Sequence, residues 1–347
     1  MSIKYIAALA ATVGLASAAQ AQSVLTAETS APNVIPGISV ISLAEVAEKE
    51  GVADIQVATG QTLTNSVQNV AEGKSDIAAG PFALPFLLSR GVGPYASIGA
   101  EKGAELADNL AVLYTYNLSV VGLFAYDSAG ISGWDDLEGK NIYNGPPRGA
   151  ALTTARLLIQ LNTGLEDGSG YTGVQVNWGQ ALATIQDGSA DAFVLPMSFP
   201  DARIGAASSS GDMTIWSVPT DVFDSDSFAN MTNLPGSVAV EIPVSEMGYG
   251  EGTTVVSEDG VFRGPANVGG EIVNVDMDFE LAKSLTAAFI KNYEEVYLGK
   301  APFMRAAQFG QTETSFTDMC GLNPLKYHPG AVAAWEEAGF TIPDCAK

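Results

Sequence analysis

The sequence has few of the residues on which most catalytic and metal sites depend. Its 347 residues include one histidine, His328, and two cysteines, Cys320 and Cys345. A histidine-rich zinc site is therefore excluded, and any Ser-His-Asp arrangement would have to use His328. The motifs G-x-S-x-G, H-E-x-x-H and C-x-x-C are also absent. These absences disfavour an enzyme, and we predict no catalytic residue, no cofactor and no metal.

Positive charge is scarce as well. The chain has 16 Lys and Arg residues against 39 Asp and Glu residues, which gives a net charge of -23 at pH 7. So acidic a protein repels nucleic acids and anionic membrane surfaces, and no nucleic-acid partner is expected. Any anionic ligand must be captured by local groups.

Long apolar runs are missing after the first residues of the chain. Lys4 precedes an Ala-rich apolar stretch, and Ala19-Gln20-Ala21 has the form of a cleavage site, which predicts a signal peptide over residues 1–21 that is cleaved near Ala21. The stretch is interrupted by polar residues and is shorter than the roughly 20 apolar residues of a membrane-spanning helix. We therefore expect export, with a periplasmic mature protein.

The two cysteines flank one short segment near the C-terminus. In an exported chain a disulfide between Cys320 and Cys345 is expected. It would close a loop of about 25 residues and contribute on the order of 3 kcal/mol. Two free buried thiols are the alternative, because the sequence does not show whether the Cα atoms lie close enough. The histidine precedes Pro329 at a predicted helix start, which favours a structural role.

Two segments of the chain resemble each other. They are "VATGQTLTNSVQNVAEGKSDIAAGP" (57–81) and "VNWGQALATIQDGSADAFVLP" (176–196). Each has the pattern of a strand, Gly-Gln, an amphipathic helix, an acid-Gly-x-x-Asp turn and a short strand closed by proline. Asp76 then corresponds to Asp191. The pattern predicts a βαβ unit used twice and parallel α/β topology in both halves, with chance similarity as the alternative.

The predicted strands also locate a candidate ligand site. In parallel sheets, ligands bind at the carboxyl ends of strands, where helix N-termini converge. The residues that follow the predicted strands are therefore the candidate ligand-binding residues. They are Thr59, Gln61, Thr62, Gly80, Phe82, Asn144, Gly145, Arg148, Gly149, Ala150, Trp178, Met197, Ser198 and Phe199.

Each group in this set has an expected role. Backbone N–H groups near Gly80, Gly145 and Gly149 would bind carboxylate oxygens. The threonine, glutamine and asparagine side chains would add neutral hydrogen bonds. The three aromatic residues are candidate pocket walls, although an aromatic residue is more often part of a core than in contact with a ligand.

Arg148 stands out in the stretch "YNGPPRGAALTTARLLIQL" (143–161). It follows two prolines and lies beside the N-terminus of a helix predicted over 151–161. A cation there opposes the helix dipole, and an anionic ligand would compensate for it. The alternative is a solvated arginine that reaches a nearby acid.

Three stretches, "WDDLEGKNIYNGPPRGAALTTARLL", "ALATIQDGSADAFVLPMSFPDARI" and "YHPGAVAAWEEAG", resemble in order and spacing the TAXI-type solute-binding proteins of TRAP transporters. The resemblance covers about 57–202 and 327–339. The family's Gly-Pro-x-Gly-Ser-Gly-like turn is here "GPPRGA", so Arg148 and Ala150 depart from it. The family's glycine-rich loop after the first strand is replaced by "SAPNVIPGISV".

The resemblance implies an α/β, two-lobed periplasmic-binding-protein fold of type II, the Venus flytrap, with a mostly parallel sheet flanked by helices in each lobe. Residues 22–115 and 267–347 would form lobe one, and 116–266 lobe two. The run at 109–125 suits a strand that crosses between lobes, and 267–277 would return. Gly269 and Gly270 would lie at the hinge or, alternatively, in an ordinary loop.

The same resemblance implies a function. The protein would capture a small organic anion, such as an amino, keto or dicarboxylic acid, and deliver it to the membrane permease subunits of a TRAP transporter. The family's ligands include glutamate and 2-oxoglutarate. A sensory module that presents its closed form to a receptor is one alternative, and an exported enzyme on the same scaffold is another.

Overall fold

The computed structural model describes residues 23–301 and 317–347. The predicted signal peptide, residues 1–21, lies outside the described residues. Within the described ranges, the strands are β1 Ser23–Glu28, β2 Ala53–Ala58, β3 Ile77–Pro81, β4 Leu110–Tyr126, β5 Asn141–Tyr143, β6 Thr172–Val174, β7 Ala192–Met197, β8 Met213–Trp216, β9 Ser237–Pro243, β10 Thr253–Val256, β11 Val261–Asn274 and β12 Lys326–Tyr327.

Helices cover the sheet between these strands. They are α1 Ile35–Lys49, α2 Leu63–Ala71, α3 Ala83–Arg90, α4 Ala100–Ala107, α5 Ala150–Thr163, α6 Ala181–Gln186, α7 Ala202–Ser208, α8 Thr220–Phe223, α9 Asp226–Thr232, α10 Phe279–Asn292, α11 Leu298–Lys300 and α12 Pro329–Glu337. A π-helical turn, Tyr293–Tyr297, joins α10 to α11. The predicted strand, turn and helix around Arg148 are confirmed as β5, its following loop and α5.

The strand order is β2-β1-β3-β11-β4-β7-β5-β6. At one end β1 pairs in parallel with β2 and β3, and at the other end β5 pairs in parallel with β6 and β7. The long strands β4 and β11 run antiparallel to each other between these two groups. Outward from this central pair, the strands are β3, β1 and β2 on one side and β7, β5 and β6 on the other. In each half the strand nearest the centre is the last of the three in the chain, and the first of the three lies in the middle. The two halves therefore have the same topology, as expected if they are related.

The central strands carry the chain between the two halves. All residues of β4 except Tyr126 are buried, as expected for a strand covered on both faces. On β4, Leu118 belongs to the hydrophobic core around β1–β3, and Val120 belongs to the core around β7. On β11, Val268 belongs to the first of these cores and Ala266 to the second. The predicted α/β fold in two lobes is confirmed, whereas the boundaries at 115/116 and 266/267 stay predictions.

The predicted repeat is visible in the hydrogen bonds of two aspartates. The Asp76 carboxylate accepts the N–H of Thr26 on β1 at 2.7 Å, and the Asp191 carboxylate accepts the N–H of Asn141 on β5 at 2.8 Å. In return, the N–H of each aspartate donates to the carbonyl of the same partner. Asp76 and Asp191 thus occupy equivalent places and join equivalent strands, which a chance similarity would not require.

Gly269 and Gly270 lie within β11, not in a loop. A Cβ atom at Gly269 would stand 2.5 Å from the carbonyl oxygen of Gly80, and one at Gly270 would stand 2.2 Å from that of Tyr114. The close approach of β3 and β4 to β11 therefore requires glycine at both positions. Their role as a hinge stays a prediction.

The disulfide and the histidine have structural roles. Cys320 and Cys345 are bonded, with their Cα atoms 5.0 Å apart, so the predicted pairing is confirmed. His328 caps α12, since its Nδ1 accepts the N–H of Gly330 at 3.1 Å. Its Nε2 is therefore free to donate to the carbonyl of Met277 at 3.0 Å. Burial lowers the pKa of His328, and its predicted structural role is confirmed.

Glu271 is a buried carboxyl on β11. It accepts hydrogen bonds from Ser39 on α1, from the Tyr114 hydroxyl at 3.2 Å and from the Tyr116 hydroxyl at 3.4 Å. Burial raises the pKa of Glu271 from 4.5 to about 7, although these three donors act to lower it. Between those two pH values the folded state holds a proton that the unfolded state has lost. The free energy of unfolding therefore falls as the pH rises through this window.

Glu271→Gln should remove this pH dependence. Between pH 5 and pH 8, the wild type should lose about 2 to 3 kcal/mol of unfolding free energy relative to the variant. Urea denaturation of both proteins at the two pH values measures the difference. If the unfolding free energies of the two proteins fall equally between pH 5 and pH 8, burial does not raise the pKa of Glu271.

Candidate functional site

A cavity of about 240 Å³ lies between the two halves of the molecule. Residues that follow β1, β3, β5 and β7 all line it, for example Ser30, Ala83, Pro146 and Ser198. The carboxyl ends of equivalent parallel strands thus meet at one place, where the topology of such sheets places ligands. The cavity is the candidate functional site.

The structure brings part of the predicted site together at this cavity. The predicted residues on its wall are Thr62, Arg148, Gly149, Ala150, Trp178, Met197 and Ser198. The other predicted residues do not line it; they are Thr59, Gln61, Gly80, Phe82, Asn144, Gly145 and Phe199.

Packing explains why two of the three predicted aromatic walls lie elsewhere. Phe82 is fully buried, and its side chain fills the space above Gly236 and Gly270. Phe199 packs edge-on against Phe262, with ring centroids 5.2 Å apart. Both belong to cores, which leaves Trp178 as the predicted aromatic residue on the cavity wall.

The polar and glycine positions off the wall also have local partners. The Asn144 side chain is buried and accepts from Gln175 at 2.8 Å. The exposed Gln61 side chain donates to the carbonyl of Thr59 at 3.2 Å. A Cβ atom at Gly80 would meet a side-chain carbon of Val67 at 2.7 Å, so that glycine permits core packing.

Arg148 lies on the cavity wall with an exposed side chain. In residues 23–301 and 317–347, no acidic side chain pairs with it and no side-chain hydrogen bond holds it. The nearby acid of the alternative interpretation is thus not found in these ranges. Arg148 precedes Gly149, the N-cap of α5, where φ is +112° and no side chain caps the helix. The backbone N–H groups of the first turn of α5 are therefore available beside a cation.

Two serine hydroxyls on the wall lack hydrogen-bond partners among the described residues. Ser30, after β1, and Ser119, on β4, are 4% and 5% exposed. Their side-chain oxygens are buried and have no hydrogen-bond partner in the described part of the chain. Leaving a buried polar group unsatisfied costs about 1 to 3 kcal/mol. A bound polar group in the cavity would remove this cost.

Sequence reasoning missed both serines, together with the crossing-strand residue Asn267 on the same wall. The repeat could have indicated Ser30. Because β1 is equivalent to β5, the loop after β1, which contains Ser30, is equivalent to the loop that contains Arg148. No comparable signal marked Ser119 or Asn267, because only the register of β4 against β11 shows which of their side chains face the cavity.

A buried ion pair forms another part of the wall. Asp201 caps α7 and binds Arg203 through Nε at 3.1 Å and Nη2 at 2.8 Å. Both side chains are at most 3% exposed. Burial acts to lower the pKa of Arg203, but the adjacent Asp201 more than offsets this and raises it. The pair therefore presents polar groups to the cavity without a net charge.

The two halves approach each other closely around the cavity. A Cβ atom on Gly149 would lie 3.0 Å from Oγ1 of Thr64, on α2 in the opposite half. One on Gly60 would lie 3.9 Å from the Cα atom of Gly179. The second approach joins equivalent loops, those that follow β2 and β6, and in this structure the two halves meet across the cleft at both places.

Neither a membrane helix nor a metal cluster is found where the structure describes the chain. None of its helices has the length and apolar character needed to cross a membrane. No group of three or more His, Cys, Asp or Glu side chains is arranged to hold a metal in those residues.

A family model described as the NMT1-like family matches residues 26–339. The comparison with curated proteins finds no match.

This chain is similar to several solved structures at TM-scores below 0.5. One is a TRAP periplasmic solute binding protein from Chromohalobacter salexigens DSM 3043 with bound (S)-(+)-2-amino-1-propanol, at 13% identity and a TM-score of 0.45 over 94% of this chain and 85% of that chain. Another, from Ralstonia eutropha H16 with bound (S)-2-acetolactate, has 13% identity and a TM-score of 0.45 over 93% and 87% of the two chains. The periplasmic aliphatic sulphonate binding protein SsuA from Escherichia coli has 12% identity and a TM-score of 0.41 over 82% of each chain.

Proposed function

Because the chain belongs to the NMT1-like family, we propose that it is a periplasmic solute-binding protein that encloses a small organic anion between its two lobes. The observation that carries this proposal is the cavity where the carboxyl ends of both sets of parallel strands meet. A cation without a counter-ion in the described chain, an uncapped helix N-terminus and two unsatisfied hydroxyls converge on it. Each of these groups favours a ligand that carries oxygen atoms and negative charge.

The proposed route of the ligand is delivery to a membrane transporter. The resemblance of "GKNIYNGPPRGA" and its flanking segments to TAXI-type proteins supports a TRAP-type permease as the partner. In this role the closed cleft would release its ligand when the lobes separate at the membrane. The net charge of -23 makes local capture by Arg148 more important, since the overall field repels anions.

The groups in the cavity favour binding over catalysis. The ionisable residues on its wall are Arg148, Asp201 and Arg203. Asp201 is already held by Arg203 and by the N–H of Ser198 at 3.2 Å, so its carboxylate is committed to the fold. A general base with a free lone pair and a nucleophile beside it would be needed for the exported-enzyme alternative.

A thermal-shift screen tests the proposed function. The purified protein, freed of bound molecules by unfolding and refolding, is titrated with monocarboxylates, keto acids, dicarboxylates, amino acids and sulfonates. At 100 times its Kd, a ligand should add about 2.7 kcal/mol and raise the melting temperature by on the order of 5 °C. A panel in which no organic anion moves the melting temperature would contradict anion capture.

A further inference from the structure

We propose that the ligand carries a single negative charge on an apolar body, with no ammonium group and no second acidic group. This inference rests on the proposed function and adds the chemical class of the ligand. Its head group is a carboxylate or a sulfonate, since both are monoanions whose oxygens accept hydrogen bonds from arginine and from backbone N–H groups.

The charges on the wall set this limit. Among the described residues that line the cavity, the charged side chains are Arg148, Asp201 and Arg203. Asp201 and Arg203 neutralise each other at 2.8 Å, so the net charge facing the ligand is that of Arg148. A second acidic group on the ligand would be buried without a counter-charge, which costs several kcal/mol.

An ammonium group on the ligand would also lack a partner. The only carboxylate on the described wall, that of Asp201, accepts from Arg203 Nε and Nη2. It also accepts from the backbone N–H groups of Ser198, Arg203 and Ile204. With five donors already bound, it has no free lone pair for an ammonium group.

The N-termini of α5 and α1 both lie at the cavity, and they differ in the backbone N–H groups that they offer to an anion. At the start of α5 the wall includes Gly149, Ala150 and Ala151, each of which has a backbone N–H. At α1 the wall includes Val34, Ile35 and Pro36; the N–H of Val34 already donates to the carbonyl of Ala31 at 3.3 Å, and proline has no N–H to donate. The first turn of α5, beside Arg148, is therefore the place for the anionic head.

Apolar side chains also line the cavity. Leu84, Leu87 and Leu118 line it from one half, and Met231 and Leu234 from the other. The volume of about 240 Å³ equals that of roughly eight water molecules in the liquid. A small organic anion whose body is a branched or cyclic hydrocarbon fits this space.

Probes that share one carbon skeleton test the inference by calorimetric titration of the refolded mature protein. The monoanions are 4-methylpentanoate and 3-methylbutane-1-sulfonate. The matched compounds are 4-methylpentanamide, which is neutral; leucine, which adds an ammonium group; and isobutylmalonate, which adds a carboxylate. Glutamate, which has two carboxylates and an ammonium group, and the dianion 2-oxoglutarate represent polar dicarboxylates. We expect at least one of the two monoanions to bind about tenfold or more tightly than the amide, leucine, isobutylmalonate, glutamate and 2-oxoglutarate. The monoanion that binds more tightly shows whether the preferred head group is a carboxylate or a sulfonate.

The variant Arg148→Met should bind the carboxylate and the amide equally, whereas Arg156→Met, on the same helix but off the cavity wall, should keep the preference for the carboxylate. Tighter binding of leucine, isobutylmalonate, glutamate or 2-oxoglutarate would overturn the single-charge rule and leave anion capture intact. Binding of the amide as tightly as the carboxylate by the wild type, or no binding of any anion, would contradict both proposals.

Discussion

Replacing Asp201 with asparagine is expected to lower the free energy of unfolding by about 3 to 5 kcal/mol, the cost of leaving one member of a buried ion pair unpaired. Asparagine has nearly the same shape as aspartate, so the packing around α7 would change little. The buried guanidinium of Arg203, which lies 2.8 Å from the Asp201 carboxylate, would lose its counter-charge. The N-cap of α7 would also lose a charged acceptor.

Urea denaturation at pH 7, followed by tryptophan fluorescence, measures this loss. Glu105→Gln is the matched control: it removes the carboxylate from an exposed pair with Lys102, and should cost less than about 1 kcal/mol. The double variant Asp201→Leu with Arg203→Met should be more stable than Asp201→Asn, because it leaves no buried charge. A loss below about 1 kcal/mol for Asp201→Asn would mean that Arg203 is solvated in the cavity and free to bind a second anionic group.

Replacing Arg148 with methionine should weaken binding of the physiological anion by about 2 to 5 kcal/mol, the range for truncating one partner of a charge pair in a closed site. Methionine keeps much of the apolar stem and removes the guanidinium. Since no side chain of the described residues pairs with Arg148, the unfolding free energy should stay within about 0.5 kcal/mol of the wild type.

Calorimetric titration of the wild type and Arg148→Met with the same anion measures the effect. Arg156→Met is the control, because Arg156 also lies on α5 but pairs with Asp167 at 2.6 Å outside the cavity. Its affinity should match that of the wild type. If Arg148→Met loses less than about 1 kcal/mol, Arg148 is a solvated surface charge, and the backbone N–H groups at the start of α5 hold the anion without it.

Much of the fold could be predicted because local patterns and the repeat agree. The acid-Gly-x-x-Asp turns placed Asp76 and Asp191 in equivalent positions, and their hydrogen bonds to Thr26 and Asn141 join equivalent strands. The length of the apolar run at 109–125 indicated a crossing strand, and β4 has that form. These features depend on periodicity and turn chemistry, which are local properties of a sequence.

The candidate site could be predicted only in part, because side-chain direction depends on register and packing. Phe82 and Phe199 follow the right strands but turn into cores. Ser119 faces the cavity only because of how β4 is aligned with its neighbours. The charge of Arg203 is balanced by Asp201, two positions earlier, and the sequence does not show that this pair is buried.

Native mass spectrometry of the purified wild type, before and after denaturation, tests the central claim most directly. We expect the native protein to carry one additional small molecule, released on unfolding and identified as an organic monoanion. The same mass should be present on Arg156→Met and reduced or absent on Arg148→Met. A wild-type protein that carries no anion, and that retains none when purified in the presence of the monoanions and dianions named above, would contradict the assignment of the cavity as an anion-binding site.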